Sequence, residues 1–202
     1  MKRIVLFSTP TPTNIDKILK QIFPEELKNK VLAYMPSDGS NPPQKYIDEW
    51  KSYAERYDAD FNLINNFQIA SKEERNKLLG SNILVISGGN TFKLLDNLRK
   101  SGLDKIIVEF TKKESFVMSG FSAGALVLTP TIEILDLVKH DINEVGLKDL
   151  SGLNIVNFEV LPHYSEHEHK DLLNEYKNQT KNEVKEISDE DSIIINLHRC
   201  RH

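Results

Sequence analysis

Cysteine is almost missing. The one thiol in 202 residues is Cys200, near the carboxyl end. That excludes an intrachain disulfide framework and leaves no cysteine for an internal catalytic role. No apolar run approaches the roughly 18–20 residues that span a bilayer. The opening MKRIVLFSTP begins with positive charge, but its apolar run falls short of the roughly 7–15 residues of a secretory leader and reads as a buried strand. Basic excess is absent too: 26 Lys and Arg stand against 30 Asp and Glu, a net charge of −4. With the two signs interspersed, the chain lacks the basic face of a nucleic-acid binder. Repeats, long linkers and low-complexity tracts are lacking as well. The expectation is a cytoplasmic protein that acts on neither nucleic acid nor membrane.

What remains is globular: 39% of residues are hydrophobic and 28% charged. The length suits one α/β domain over residues 1–202. Short apolar runs alternate with longer amphipathic ones, which predicts β-α units on a mostly parallel central sheet. Strands are expected at 3–8, 30–36, 60–65, 82–89, 115–120 and 191–197, with another inside 153–164. Helices are expected after Asn14, over 44–57, over 71–80 with Ser71 and Glu74 at capping-box spacing, after Asn90, over 101–113 and over 169–179. The segment 130–138 reads as strand or loop.

The stretch MSGFSAGALVL (118–128) crowds small residues around Ser122. Gly120 to Gly124 match G-x-S-x-G, the nucleophile elbow, in which a sharp strand-to-helix turn thrusts the serine Oγ outward. Side chains two positions either side of the serine would strike the neighbouring strand and helix, so glycine is required there. An apolar strand before and helix formers after supply the expected context. The plainer reading is a glycine-rich junction whose serine only caps a helix. One β-α unit earlier, SGGNTFKLL ends a strand in Gly88-Gly89, at the sheet edge where open α/β folds bind ligands. The N–H of Gly89 paired with that of Ala123 would form an oxyanion hole. Asn90 is placed to cap the next helix or to touch substrate.

A serine nucleophile needs a base. Of His140, His163, His167, His169, His198 and His202, His163 fits best, following an apolar run and Pro162 at a strand's carboxyl end. His167 and His169 lie in SEHEHK, read as a solvated helix start, and no metal site is expected from them. The terminal LHRCRH reads as a frayed tail. For the acid that orients the base, Asp189, its neighbours Glu190 and Asp191, and Asp136 are all candidates, and spacing does not choose among them.

The blocks ISGGNTFKLL, MSGFSAGALVLTPTI and VLPHY, in this order, resemble the peptidase E (aspartyl dipeptidase) family of serine peptidases, over roughly residues 30 to 195. The resemblance implies a three-layer, flavodoxin-like sandwich akin to class I glutamine amidotransferase domains. It implies Ser122 as nucleophile, His163 as base, and Gly89 and Ala123 as oxyanion donors. It matches the acid to Asp136 or Asp189, of which Asp189 is preferred, and gives Asn90 to substrate binding. No cofactor or metal is implied. Family members contact an N-terminal aspartate through a downstream arginine. Here YSEHEHKDLLNEY follows His163 without one, leaving Lys170 or the histidines as the cations at hand.

The expected activity is therefore serine-type hydrolysis of small peptides, and among assemblies a homodimer is the one considered. The rivals are a serine esterase, for which the stretch between Ser122 and His163 is short, and a non-catalytic module that keeps the pocket for a small ligand. A glutamine amidotransferase would carry cysteine at the elbow.

Overall fold

The structure, a computed structural model, describes residues 1–197. In chain order the strands are β1 (Lys2–Phe7), β2 (Val31–Met35), β3 (Asp60–Leu63), β4 (Ile83–Ile86), β5 (Phe116–Phe121), β6 (Glu159–Leu161), β7 (Val184–Glu186) and β8 (Ser192–Asn196). The helices are α1 (Ile15–Ile22), α2 (Gln44–Arg56), α3 (Lys72–Gly80), α4 (Thr91–Ser101), α5 (Leu103–Phe110), α6 (Ala123–Val127), α7 (Ile134–Val138) and α8 (Glu166–Gln179).

Six strands form one sheet in the order β3-β2-β4-β5-β1-β8. Its pairs are parallel except β1 with β8, which run antiparallel. The central strands are largely apolar because both faces of the sheet are covered; the buried exception, Ser119 of β5, donates its hydroxyl to the Val5 carbonyl at 3.0 Å. Strand alternation then sorts their side chains. Val5, Phe7, Val85 and Val117 pack with Ile18, Leu19 and Ile22 of α1 and with Trp50 of α2. Ile4, Leu6, Leu84 and Met118 face the other way, against Leu95 and Leu98 of α4 and Ile107 of α5. The result is helix, sheet and helix in three layers, the α/β architecture expected. β6 and β7 pair in parallel as a separate two-stranded sheet.

Several local expectations change. Segment 130–138 departs from strand or loop only in its second half: Thr131 makes an isolated antiparallel bridge to Ser151, whereas Ile134–Val138 is α7, with Ile134 and Leu135 buried. A short apolar run cannot be assigned by periodicity alone. β7 was not anticipated: it is three residues long and only Val184 in it is buried. Ser71 does cap α3, accepting from the Glu74 N–H at 3.1 Å, but the Glu74 carboxylate takes the Asn65 N–H instead of closing a capping box. Asn14 stands at the start of α1 without a side-chain cap bond; its amide is used elsewhere, as shown below. His198, Cys200 and His202, in the sequence read as a tail, lie outside the described residues.

Candidate active site

The carboxyl ends of β1, β4 and β5 converge, as the ligand-binding edge of an open α/β sheet does. There the chain leaves β5 and enters α6 through Ser122, whose φ of 49° and ψ of −117° lie in a region a non-glycine residue rarely adopts. Its N–H donates to the Phe7 carbonyl at 3.0 Å. The glycines two positions either side have a measurable cause. A Cβ on Gly120 would stand 2.3 Å from the Gly124 carbonyl oxygen, and one on Gly124 would stand 2.1 Å from that of Ile86. Backbone meets backbone at both points, so no side chain can yield.

His163 follows β6 and also has positive φ, 57°. Its Nε2 lies 2.9 Å from Ser122 Oγ, and its Nδ1 lies 2.7 Å from Asp189 Oδ1. A carboxylate only accepts, so Nδ1 carries the proton and Nε2 is left to accept from the serine hydroxyl. The other acids are elsewhere. Asp136 is exposed on α7; Glu190 accepts from Thr13 Oγ1; Asp191 accepts from Ser188 Oγ at 2.6 Å. The structure thus brings together Ser122, His163 and Asp189, and not the three alternatives.

Gly89 has φ 145°, and a Cβ there would collide with Ser37 Oγ at 2.0 Å. The N–H groups of Gly89 and Ala123 have no acceptor among the described residues. For Ala123, which is fully buried, a donor without an acceptor is costly. Asn90 is committed locally: its Oδ1 accepts from the Lys93 N–H at 2.9 Å, capping α4, and its Nδ2 donates to the Ile142 carbonyl at 2.9 Å.

Two clefts meet at Ser122 and His163. The larger, about 540 Å³, is walled by Tyr34, Trp50 and Phe121 and carries Lys45 and Glu49. The smaller, about 320 Å³, is lined by Leu126, Leu135, Leu161 and His140. Among the described residues, no group of three His, Cys, Asp or Glu side chains could hold a metal ion, and no helix is long and apolar enough to cross a membrane.

The family model described as peptidase family S51 matches residues 5–201. The chain belongs to peptidase family S51. Among its relatives by sequence, an uncharacterized peptidase of Listeria monocytogenes is 28% identical over 181 residues, 86% of this chain and 85% of that protein. Peptidase E of a Nostoc species is 27% identical over 172 residues, 81% of this chain and 66% of that protein. A crystal structure of a Listeria monocytogenes protein provisionally named peptidase E superposes with a TM-score of 0.76 at 25% identity, covering 96% of this chain and 94% of that one. A peptidase from an acI-B1 actinobacterium shares the fold, with a TM-score of 0.67 at 16% identity over 96% and 83% of the two chains.

Sequence reasoning missed part of what supports this candidate site. Ser8, 1% exposed, accepts from the His163 N–H at 2.9 Å and donates to the Ile187 carbonyl at 2.8 Å. Asn14, 4% exposed, donates to the carbonyls of Asp189 at 2.7 Å and Thr9 at 3.0 Å, and accepts from the Thr11 N–H at 2.8 Å. The segment after β1 therefore ties down both loops that carry His163 and Asp189. Nothing in the local sequence marks these two residues for this role, since the partners they hold in the His163 and Asp189 loops lie more than 150 positions away.

His169, expected in a solvated helix start, is instead 5% exposed. Its Nδ1 accepts from the Ser165 N–H at 3.0 Å. The proton therefore sits on Nε2 and points at His140 Nε2, 2.9 Å away. Desolvation, with His169 and then His163 adding to it, holds the His140 pKa below the ordinary histidine value. Lys170 is exposed and ion-paired with Glu166 at 2.7 Å.

The strand delivering His163 is anchored by Glu159, which is fully buried. Its carboxylate accepts from the Tyr176 hydroxyl at 2.5 Å, Thr180 Oγ1 at 2.7 Å and Asn182 Nδ2 at 2.9 Å. Burial and this hydrogen bond push the Tyr176 hydroxyl well above its usual pKa. Glu159→Ala strands the buried Tyr176 hydroxyl and removes the acceptor of the half-buried Thr180 and Asn182, and a stability loss of about 3 kcal/mol in urea unfolding is expected. A loss below about 1 kcal/mol would show that the cluster re-forms with water.

Proposed function

We propose that this S51 peptidase is of the serine type and hydrolyses small peptides, with Ser122 as nucleophile, His163 as general base and Asp189 as the acid that orients the imidazole. The observation that carries this reading is the pair of hydrogen bonds linking Ser122 Oγ to His163 at 2.9 Å and His163 to Asp189 at 2.7 Å, on an elbow whose glycines are sterically enforced. Ser122 attacks the scissile carbonyl as His163 Nε2 takes its proton. The imidazolium, stabilised by Asp189, then protonates the leaving amine, and water completes the cycle through the same base. The unengaged N–H groups of Gly89 and Ala123 are assigned to the oxyanion, each such donor contributing about 3 kcal/mol to the transition state. No step in this scheme calls for a metal or cofactor. A cytoplasmic setting and small-peptide substrates belong to the same reading, as does Asn90 as a residue on the substrate path, its second amide hydrogen remaining for that contact.

The test is active-site labelling. A fluorophosphonate probe is expected to modify the native chain at Ser122, located by peptide mass mapping. Ser122→Ala is expected to abolish the label. Labelling elsewhere, or none in a folded protein that cleaves dipeptides, overturns the assignment.

A further inference from the structure

We propose that the smaller cleft is a subsite for an uncharged substrate side chain and turns acidic ones away, with His140 as the residue that sets this preference. The proposal rests on the reading of Ser122 and His163 as the reacting pair and adds the class of residue accepted beside the scissile bond.

The cleft opens directly on the reacting position, since Ser122 and His163 are part of its wall. Leu126 of α6, Leu135 of α7, Leu161 of β6 and Pro162 supply hydrocarbon. His140 and Asp141 supply the other polar groups, and among the described residues no lysine or arginine lines the cleft. Lys170 is held away on α8 by Glu166 at 2.7 Å. Asp141 is fixed in place, its Oδ2 accepting from the Thr91 N–H at the start of α4 at 2.8 Å. A second carboxylate entering beside it would meet like charge and lose water, with no cation to offset either cost.

The group that could reverse this is His140, whose ring centroid stands 6.4 Å from that of His163. As an imidazolium it would attract an acid, but the hydrogen-bond chain behind it keeps it neutral. The Ser165 N–H donates to His169 Nδ1 at 3.0 Å, so the His169 proton sits on Nε2 and is donated to His140 Nε2 at 2.9 Å. His140 therefore holds its own proton on Nδ1. A second proton finds Nε2 occupied unless His169 reverses its tautomer, which would set two donors against each other at the Ser165 backbone. His169 is 5% exposed and packs beside Tyr164, with ring centroids 6.1 Å apart. The charged and titratable groups facing His140 are Asp141 next to it, Glu168 and His169 on α8, and His163. The two carboxylates favour an imidazolium; burial, with His169 and His163, outweighs them and holds the His140 pKa below the ordinary value. The cleft thus presents hydrocarbon and one neutral ring, which suits leucine, methionine or glutamine and not aspartate or glutamate.

The experiment measures kcat/KM of the full chain on two dipeptide series, one varied on each side of the scissile bond. Asp is compared with Asn and Glu with Gln from about pH 5.5 to about pH 8. A ratio taken at one pH cancels the ionisation of His163 itself. In the series whose side chain enters the smaller cleft, wild type is expected to favour the amide by about 10–100-fold at every pH. His169→Phe is expected to keep that ratio at the upper pH and to lower it by about 3–30-fold at the lower one, as the freed His140 gains a proton. His169→Phe with His140→Gln is expected to lose this drift, which a merely structural role for His169 does not predict. Should His169→Phe not fold, the ring C–H resonance of His140 in wild type, assigned by its loss in His140→Gln, is expected to hold its neutral position down to about pH 5.5. Its titration at the ordinary histidine value overturns the proposal. So do a wild-type preference for the acid in either series, ratios near one in both, and a drift that survives in the double variant. If Ser122 takes the fluorophosphonate and the acid is still preferred, the cleft reading alone has failed; if Ser122 is never labelled, the nucleophile reading has failed first.

Discussion

Ser122→Ala and His163→Ala are each expected to lower kcat by about 10⁵–10⁶-fold, and the double variant to be no slower than either single one. The hydroxyl is a poor nucleophile without a base to take its proton, and the imidazole has nothing to activate without the hydroxyl. Removing one therefore removes the contribution of both. The 2.9 Å spacing of Oγ and Nε2 is a working distance for that transfer with no rearrangement. What survives is the rate supplied by binding and by the N–H groups of Gly89 and Ala123, here proposed as the oxyanion donors. The measurement is kcat on one dipeptide for the three variants, each purified without exposure to wild-type enzyme, since a trace would mask losses of this size. Losses that multiply in the double variant would mean that Ser122 and His163 act on separate steps.

Much of this site was legible because its chemistry is local. The elbow needs glycine at 120 and 124, and both collisions that enforce them involve backbone within one strand-turn-helix unit or the strand beside it. Gly89 was legible for the same reason: its φ of 145° is a backbone demand. The central strands could be read because burial on two faces leaves continuous apolar runs. What could not be read was long-range. Ser8 and Asn14 hold the His163 and Asp189 loops across the edge between β1 and the β7–β8 connection, and a serine and an asparagine after a strand look like ordinary turn formers. The choice of acid was undecidable for a related reason. Asp189, Glu190 and Asp191 are adjacent in sequence, and only the path of the turn aims one of them at His163 while Thr13 and Ser188 occupy the others. His169 misled because its neighbours are charged, while its own position on α8 faces the core beside Leu173 and Tyr176.

Asp189→Asn is expected to cost more than Asp189→Ala, about 10³–10⁴-fold in kcat against about 10²–10³-fold. The order follows from hydrogen-bond chemistry. The carboxylate accepts from Nδ1–H and so leaves Nε2 free to take the serine proton. An asparagine whose amide nitrogen faces the ring donates to Nδ1, moves the ring proton to Nε2, and points a donor at a hydroxyl that must itself donate. Alanine imposes no tautomer. The side chains of His163 and Asp189 are 37% and 54% exposed, so water can enter the gap and accept from Nδ1–H in the carboxylate's place. That exposure also sets both losses below those of the Ser122 and His163 variants. A third substitution separates charge from placement. Asn14→Ala leaves the carboxylate intact but releases the loop it rides on, by deleting the 2.7 Å bond to the Asp189 carbonyl, so its loss should fall in kcat with KM little changed. Alanine at 189 proving as slow as asparagine, or slower, would mean that the carboxylate acts mainly by stabilising the imidazolium and that the tautomer is held by something else.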